Sequence, residues 1–272
     1  MEELIIEAGR TERHYWRDLW RYRELFYFLA WRDILIRYKQ TVVGVSWSVI
    51  RPLLTIAVLT VVFGRFGRMP SGGVPYSLLV FCGMIPWQFF STALSESGGS
   101  LVLNANLISK VYFPRLVIPA SSVITSCVDF AISGAILVIM MVWYRFVPPP
   151  AVVFLPLWTV LALAAAFGTG LWIAALMVTY RDFRFIVPFI VQFGLYISPV
   201  GFSSAIVPQR YRIFYFLNPV TAVIDGFRWS LLGHEHLMDW HGLAVSLVVT
   251  AFLVVTGVRF FRKTERHFAD VI

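Results

Sequence analysis

Charged residues are scarce in this sequence of 272 residues: only 14% are Asp, Glu, Lys or Arg, whereas 58% are hydrophobic. The mean hydropathy of +0.74 lies well outside the range of soluble globular domains. The net charge of +8 does not indicate nucleic-acid binding, because the basic residues cluster at the edges of apolar runs and form no continuous stripe. The composition therefore predicts a protein that is solvated by lipid.

Cysteine and secretion signals are also lacking. The two cysteines, Cys82 and Cys127, lie inside apolar runs, where thiols usually behave as small hydrophobic groups, so no disulfide framework is expected. The N-terminus opens with acidic residues and stays charged through Lys39, which is not the pattern of a cleavable signal peptide. The first membrane span is therefore expected to direct insertion.

The sequence contains no motif for nucleotide or catalytic chemistry. It has no glycine-rich phosphate loop ending in Gly-Lys-Ser/Thr, no metalloprotease helix, no serine elbow and no dinucleotide fingerprint. We expect no ATP, magnesium or other cofactor to be bound by this chain, and any ATP to be bound by another chain. An enzyme with its own active site is disfavoured.

Long apolar runs predict an all-α integral membrane protein, because about 20 residues are needed to cross the hydrocarbon core as a helix. A charged segment, residues 1–45, precedes a transmembrane domain with a short tail, residues 46–272. The predicted spans are Ser46–Phe63, Tyr76–Leu94, Leu116–Trp143, Ala151–Thr179, Ile186–Phe202 and Leu243–Phe261. Sixteen Lys and Arg residues fall on the side of both termini, six fall on the other side, and Arg51 lies near the start of the first span. The excess predicts cytoplasmic termini.

An amphipathic helix is predicted before the first span. Asp33, Arg37 and Gln40 project from the side opposite its main apolar arc. The arc consists of Tyr27, Phe28, Trp31, Ile34, Leu35 and Tyr38. A second, separate apolar strip consists of Leu25, Leu29 and Ile36. Such a helix would lie in the membrane interface. It could be a simple anchor or could take part in docking a partner.

The segment Ser203–Gly242 is too apolar for a free loop and is interrupted by Pro208, Pro219 and Gly226. Two short helices that dip into the outer leaflet explain this pattern, because non-helical backbone at that depth must be covered by protein. We therefore predict a re-entrant hairpin. Within it, Asp225 and Arg228 are three residues apart and are expected to pair with each other.

Two groups of polar residues leave alternatives open. Asp129, in the middle of the third predicted span, suggests either a transport role or a packing role. Packing is favoured, because the other predicted spans contain no ionisable partner for it at similar depth. A histidine-rich stretch near the last span matches no standard zinc spacing and is interpreted as a solvated turn, so no metal site is predicted. The stretch contains His234, Glu235, His236 and His241.

Several strings together resemble the permeases of polysaccharide ATP-binding-cassette exporters, which include O-antigen, capsular polysaccharide and teichoic acid transporters. Residues 31–44 (WRDILIRYKQTVVG), then Trp47 and Pro52, resemble the segment that enters their first span. Residues 106–110 (NLISK) and 113–115 (FPR) are similar to their cytoplasmic coupling segment. Residues 180–182 (YRD), 198–199 (SP), 218–219 (NP) and 265–272 (ERHFADVI) also match.

The resemblance implies a permease in the bacterial cytoplasmic membrane that forms a homodimer around a canal for a lipid-linked polysaccharide. Two copies of a separate ATPase, which bind ATP and Mg, would dock beneath it. The residues implicated in coupling are Asn104, Asn106, Leu107, Ile108, Lys110, Val111 and Arg115. Those of the interface helix are Trp31, Arg32, Asp33, Arg37, Tyr38 and Lys39. Those of an outer gate are Pro208, Asn218, Pro219, Asp225 and Arg228.

Aromatic residues make up 17% of the chain, and flat rings suit the apolar faces of sugars. Phe89, Phe90, Tyr196 and Phe202 are candidates for the canal wall, although packing or lipid contact explains any one of them as well. Two other functions compete with polysaccharide export. One is export of a drug or small lipid by the same architecture, and the other is a membrane-embedded transferase, for which Asp129 alone is a poor catalytic set.

Overall fold

The computed structural model describes residues 11–39, 42–233 and 238–268, and within these ranges all regular secondary structure is helical. The helices are α1 (Thr11–Arg21), α2 (Arg23–Lys39), α3 (Val42–Leu59), α4 (Tyr76–Leu103), α5 (Ala105–Lys110), α6 (Val117–Trp143), α7 (Leu155–Thr179), α8 (Phe183–Ile197), α9 (Gln209–Tyr215), α10 (Pro219–Leu232) and α11 (Trp240–Thr264). A π-helical segment, Thr60–Phe66, extends α3, and a 3-10 helix, Pro150–Phe154, leads into α7. The predicted all-α class is confirmed.

Five helical segments are long and apolar enough to cross a membrane: Ser46–Phe66, Tyr76–Leu103, Val117–Trp143, Pro150–Thr179 and Trp240–His267. The predicted fifth span, Ile186–Phe202, is not one continuous helix. Its helix, α8, has 15 residues, about 22 Å at 1.5 Å per residue, against a hydrocarbon core of about 30 Å. Pro199 ends it, because the residue before a proline avoids helical backbone, and Ser198 is extended with ψ 152°. A sixth span remains a prediction.

Helix α4 is the central element of the fold. Of its most apolar stretch, 78% is buried, against 17% for the span that begins in α3 and for the span of α11. It packs against α6, α7 and α10, and its residues Leu78, Leu79 and Val80 are fully enclosed. Helices α3 and α11 lie at the periphery and turn apolar side chains such as Val58 and Phe252 outward, as lipid-facing helices do.

Helices α7 and α11 approach closely through glycine. A Cβ atom added at Gly168 would lie 2.8 Å from the backbone nitrogen of Val254, and one at Gly257 would lie 2.5 Å from the carbonyl oxygen of Gly168. Small residues at such a crossing let two membrane helices pack backbone against backbone. Beyond this crossing, α11 continues to the end of the bundle where α5 and the start of α6 lie, which we call the α5 end.

Candidate functional site

The segment that resembles a coupling segment folds as the short helix α5 and follows α4 almost directly. Helix α4 continues to Leu103, nine residues beyond its predicted end at Leu94, so Glu96 belongs to the helix and not to a loop. Asn104 separates α4 from α5, and its side-chain amide donates to the carbonyl of Ser100 at 2.9 Å. Helix α5 is therefore held at a fixed offset from the end of the central helix.

Leu107 and Val111, two of the residues implicated in coupling, differ in their exposure. Ile108 is buried in the protomer and Leu107 packs half-buried beside it. Asn106, Lys110 and Val111 are exposed, as is Leu103, with 83% of its surface accessible. The open surface is thus formed by the end of α4 and the outer side of α5, because the inner side of α5 completes the protein's own core.

A second hydrophobic cluster, which we call the α5 cluster, lies under this helix. Its buried members are Tyr15, Leu29, Leu101, Ile108, Phe113, Leu116, Val117, Ile118, Leu171, Ala174, Ala175, Val178, Phe261 and Phe268. They come from both N-terminal helices, the end of α4, α5, the start of α6, α7 and the last residues of the described chain. The predicted coupling and interface segments therefore share one small core.

Hydrogen bonds to Glu265 join the two ends of the chain at the α5 cluster. The Tyr15 hydroxyl donates to one carboxylate oxygen of Glu265 at 3.0 Å, and the backbone N–H of Arg115 donates to the other at 2.7 Å. The Arg115 guanidinium also donates to the carbonyl of Glu265, and Arg262 lies over the Tyr15 ring. Burial, and then the nearby Glu265 carboxylate, raise the pKa of Tyr15 well above its usual range. Tyr15 therefore keeps its proton and donates its hydrogen bond to Glu265.

Helix α2 contacts α5 through Arg32. The Arg32 guanidinium binds the neighbouring Asp33 carboxylate at 2.7 and 2.9 Å and donates to the side-chain oxygen of Asn104 at 2.8 Å. Trp31 and Lys39 point away from the protein, while Leu29 is buried. The helix therefore turns part of its predicted polar side inward, onto the protein, and leaves aromatic side chains outside.

Asp129 has ionisable neighbours, but they come from α2, which precedes the first span, and through Arg37 from Glu96, which lies beyond the predicted end of the second span. The Arg37 guanidinium lies 2.6 Å from one Asp129 oxygen and 2.9 Å from a Glu96 oxygen. The hydroxyls of Tyr38 and Ser48 donate to the other Asp129 oxygen at 2.6 and 3.2 Å. Burial, followed by the bond to Asp129, raises the pKa of Tyr38 to about 12. We call these five residues the Arg37 network.

Arg228 anchors the segment between α8 and α11, which we call the outer segment after its predicted location, and its partners differ from the predicted pair with Asp225. Its side chain, 2% exposed, donates to the carbonyls of Leu79 at 3.2 Å, Val200 at 2.8 Å and Phe202 at 2.7 Å. Within helix α10 the Asp225 carboxylate is buried and keeps one oxygen without a hydrogen-bond partner. Three carbonyls satisfy the buried guanidinium because its fork presents several donors in one plane.

Two of the short proline motifs meet beside this anchor. Asn218 caps α10 by accepting from the backbone N–H of Val220 at 3.2 Å, and its amide donates to the Ser198 hydroxyl at 2.9 Å. Pro219 occupies the first turn of α10, where its missing N–H costs nothing. Pro208 is exposed at the start of α9. The predicted gate residues thus lie on one connected segment that packs on α4, α7 and α11.

The aromatic candidates for a canal wall fall into two groups. Phe89 and Phe90 are buried, 3% and 8% exposed, and the Phe89 ring packs against Phe130 with centroids 5.1 Å apart. Their enclosure in the core argues against a place on a wall, because packing already uses their surfaces. Tyr196 is 61% exposed, and Phe202 is partly exposed beside Arg228.

The next feature is the distribution of metal-binding residue types. Across the described ranges, no group of three or more His, Cys, Asp or Glu residues could hold a metal ion. His234, Glu235 and His236 lie outside these ranges, and so do the last four residues of the matching tail.

Three partners were not predicted as such: Glu96, Tyr15 and Glu265, although Glu265 begins the matching tail. The only signal for Glu96 was a lone carboxylate at the end of an apolar run, and none pointed to contacts across 250 positions.

Comparisons with known proteins agree over most of the chain. Residues 24–232 match the family described as ABC-2 type transporter. The chain is 26% identical to an O-antigen export system permease protein, RfbA, of Klebsiella pneumoniae, over 92% of this chain and 95% of that protein. It is 26% identical to the RfbA of Myxococcus xanthus, over 94% and 98%. It is 22% identical to the polysialic acid transport protein KpsM of Escherichia coli, over 86% and 91%.

Proposed function

Since this chain belongs to the ABC-2 type transporter family, we propose that it is the membrane-spanning permease subunit of an ATP-driven exporter of a lipid-linked polysaccharide. The observation that carries the cargo class is the alignment with O-antigen permeases over nearly the full length of both proteins. The alignment with a polysialic acid transport protein supports the same class. The polymer is of the O-antigen, capsule or teichoic acid type.

Energy comes from a separate ATPase subunit, which binds ATP and Mg. Two permease chains form the passage and two ATPase copies dock at the α5 end, which faces the cytoplasm. The excess of Lys and Arg on that side supports this orientation. Six spans cross the inner membrane, with α8 and the turn after it counted as the fifth.

The ATPase contacts the exposed surface formed by the end of α4 and the outer side of α5. Leu103, Val111 and Tyr112 offer apolar area there, and Lys110 adds a positive charge. A short helix flanked by exposed apolar side chains suits a cleft in a partner. Because the inner side of α5 belongs to the α5 cluster, a push on α5 reaches α1, α2 and α11 together.

The segment from Ser203 to Gly233, the described part of the predicted hairpin before residue 238, acts as the outer gate and re-enters the membrane. Helix α10 is almost wholly buried, whereas α9 exposes Ile213 and Phe214, which suits contact with lipid or with the second chain. Tyr196 and Phe202 line the passage near this gate. The anchor formed by Arg228 keeps the segment against the central helix.

Reconstitution tests the function directly. The purified chain alone should hydrolyse no ATP, and a co-expressed ATPase subunit should restore both hydrolysis and the appearance of polymer at the cell surface. Robust hydrolysis by this chain alone, with contaminants excluded, would reject the permease role. ATP-dependent export of a drug or small lipid without polymer would keep the architecture and reject the cargo.

A matched pair of substitutions tests the docking surface. Val111→Asp places a charge against the partner's cleft, an interaction that costs on the order of a few kcal/mol, so co-purification of the ATPase should fall at least tenfold. Arg68→Gln, on the exposed outer loop, should leave it unchanged. Leu107→Asp is a poorer probe than Val111→Asp, because Leu107 also packs on the α5 cluster. Wild-type co-purification of the Val111→Asp protein would reject this surface.

A further inference from the structure

Arg37 lies near the end of α2 and binds carboxylates on two different helices. Its two terminal nitrogens lie 2.9 Å from a Glu96 oxygen on α4 and 2.6 Å from an Asp129 oxygen on α6. The planar guanidinium suits such a bridge, because its donors point in fixed directions and can serve two acceptors at once. One arginine thus joins three elements of the fold.

The partners of Arg37 are only partly accessible to solvent. The side chains of Arg37, Glu96 and Asp129 are 32%, 39% and 15% exposed. Exposed ion pairs contribute little to stability, but a carboxylate held inside a membrane-spanning helix is costly without a partner. Arg37 offsets two such carboxylates, and the Tyr38 and Ser48 hydroxyls bind Asp129 from its other side.

The position of Arg37 along α2 connects this network to the α5 end. Five residues earlier, Arg32 holds Asn104, at the junction of α4 and α5. Helix α2 ends at Lys39, two residues after Arg37, and Ser48 of the next helix, α3, also belongs to the network. Helix α2 also packs along α6. A displacement of α2 along its axis therefore pulls on Asn104 through Arg32 and on Glu96 and Asp129 through Arg37.

We propose that Arg37 is a positioning residue that transmits movement of the N-terminal helices to α4 and α6. The proposal rests on the proposed function, in which an ATPase moves the α5 cluster and the helices packed on it. Arg37 is the joint between α2 and the two spans, because its ion pairs with Glu96 and Asp129 make α4 and α6 move with α2. Without the joint, α2 moves and the two spans stay in place.

The test compares Arg37→Gln, Arg37→Lys and a neutral triple variant, Arg37→Gln with Glu96→Gln and Asp129→Asn. Each is assembled with the ATPase subunit, and three quantities are measured: the amount of complex, the rate of ATP hydrolysis and the polymer at the surface. Arg37→Gln should hydrolyse ATP within about twofold of the wild type, while export falls at least tenfold. Arg37→Lys should recover part of the export, because an ammonium group still attracts both carboxylates.

The triple variant separates transmission from charge balance, because it leaves no carboxylate without a partner. It should assemble normally and still export poorly. Wild-type export by the triple variant or by Arg37→Gln would overturn the proposal. Failure of the triple variant to assemble would also overturn it, since Arg37 would then be needed only to hold the fold. Arg68→Gln serves as the control for loss of an arginine.

A cargo-independent measurement distinguishes this proposal from the proposed function. Thr92 lines a narrow groove between α4 and α6 beside Asp129. In a protein without the native cysteines, the labelling rate of Thr92→Cys should change at least threefold when ATP is added, and this change should disappear with Arg37→Gln. A change that persists in Arg37→Gln would reject the joint. If the wild type shows the change but exports no polysaccharide, only the cargo assignment fails.

Discussion

Replacement of Gly83 by alanine should weaken the anchor of the outer segment. A Cβ atom at this position in α4 would lie 2.7 Å from a terminal nitrogen of Arg228 and 3.2 Å from the carbonyl oxygen of Val200. These two atoms form one of the three hydrogen bonds of the guanidinium, 2.8 Å long. The methyl group would lie against both atoms, so the buried guanidinium would have to shift away from one of its three carbonyl partners.

The expected change in the free energy of unfolding is the difference between two opposing effects. A hydrogen bond to a charged group contributes about 1.5–3 kcal/mol, and alanine gains about 0.5–1 kcal/mol over glycine inside a helix. Gly83→Ala should therefore lower the free energy of unfolding by about 1–2 kcal/mol. Gly134→Ala is the matched control, because a Cβ there would meet nothing within 4 Å. It should keep or slightly raise the free energy of unfolding.

Unfolding by sodium dodecyl sulfate in mixed micelles, followed by tryptophan fluorescence, measures both effects. The midpoint should fall for Gly83→Ala and should not fall for Gly134→Ala. Equal midpoints for the two variants would refute the reasoning, because the effect of Gly83→Ala on stability would then not depend on its contact with Arg228. A Gly83→Ala protein as stable as the wild type would show that the guanidinium can move without losing a bond.

Three further predictions concern orientation, alkaline stability and the join between the ends of the chain. In a protein without its native cysteines, a cysteine at Arg210 should react with an impermeant thiol reagent in intact cells and one at Lys110 should not; the reverse result would invert the topology. The folded state raises the pKa of Tyr38 to about 12 from about 10, so the stabilisation of the fold by the protonated hydroxyl is complete below pH 10 and is lost as the pH rises through 12. Tyr38→Phe should remove that part of the alkaline unfolding transition, and an unchanged transition would contradict the role of the Tyr38 hydroxyl. Tyr15→Phe removes the hydroxyl bond to Glu265 and should cost about 1–3 kcal/mol, seen as faster proteolysis of the N-terminal helices, whereas unchanged proteolysis would leave the bond without consequence.

The sequence predicted those parts of the fold that depend on local hydrophobicity. Five candidate spans follow from apolar length alone, because lipid requires long uninterrupted helices. The end of α4 was placed too early, at Leu94, since Ser95, Glu96 and Ser97 interrupt the apolar run. The helix continues through them to Leu103. Arg37 offsets the Glu96 charge, and local composition carries no information about that distant residue.

The candidate site was predictable as a set of segments and not as a set of contacts. The interface and coupling strings do meet, through Arg32 and Asn104. The three carbonyls that satisfy Arg228 come from backbone, which has no sequence signature, so spacing alone suggested Asp225 instead. Which faces of α5 are open depends on the α5 cluster, whose members are scattered from Tyr15 to Phe268.

The order in which the α5 cluster becomes complete has a consequence for biosynthesis. Tyr15 leaves the ribosome 250 residues before Glu265, and Phe261 and Phe268 of the same cluster are made next to Glu265. Until α11 is made, Tyr15 thus lacks its hydrogen-bond acceptor Glu265 and the Phe261 and Phe268 side chains of the cluster. Until the last helix is in the membrane, the surface offered to an ATPase is incomplete, so premature assembly with a half-made permease is disfavoured by the fold itself.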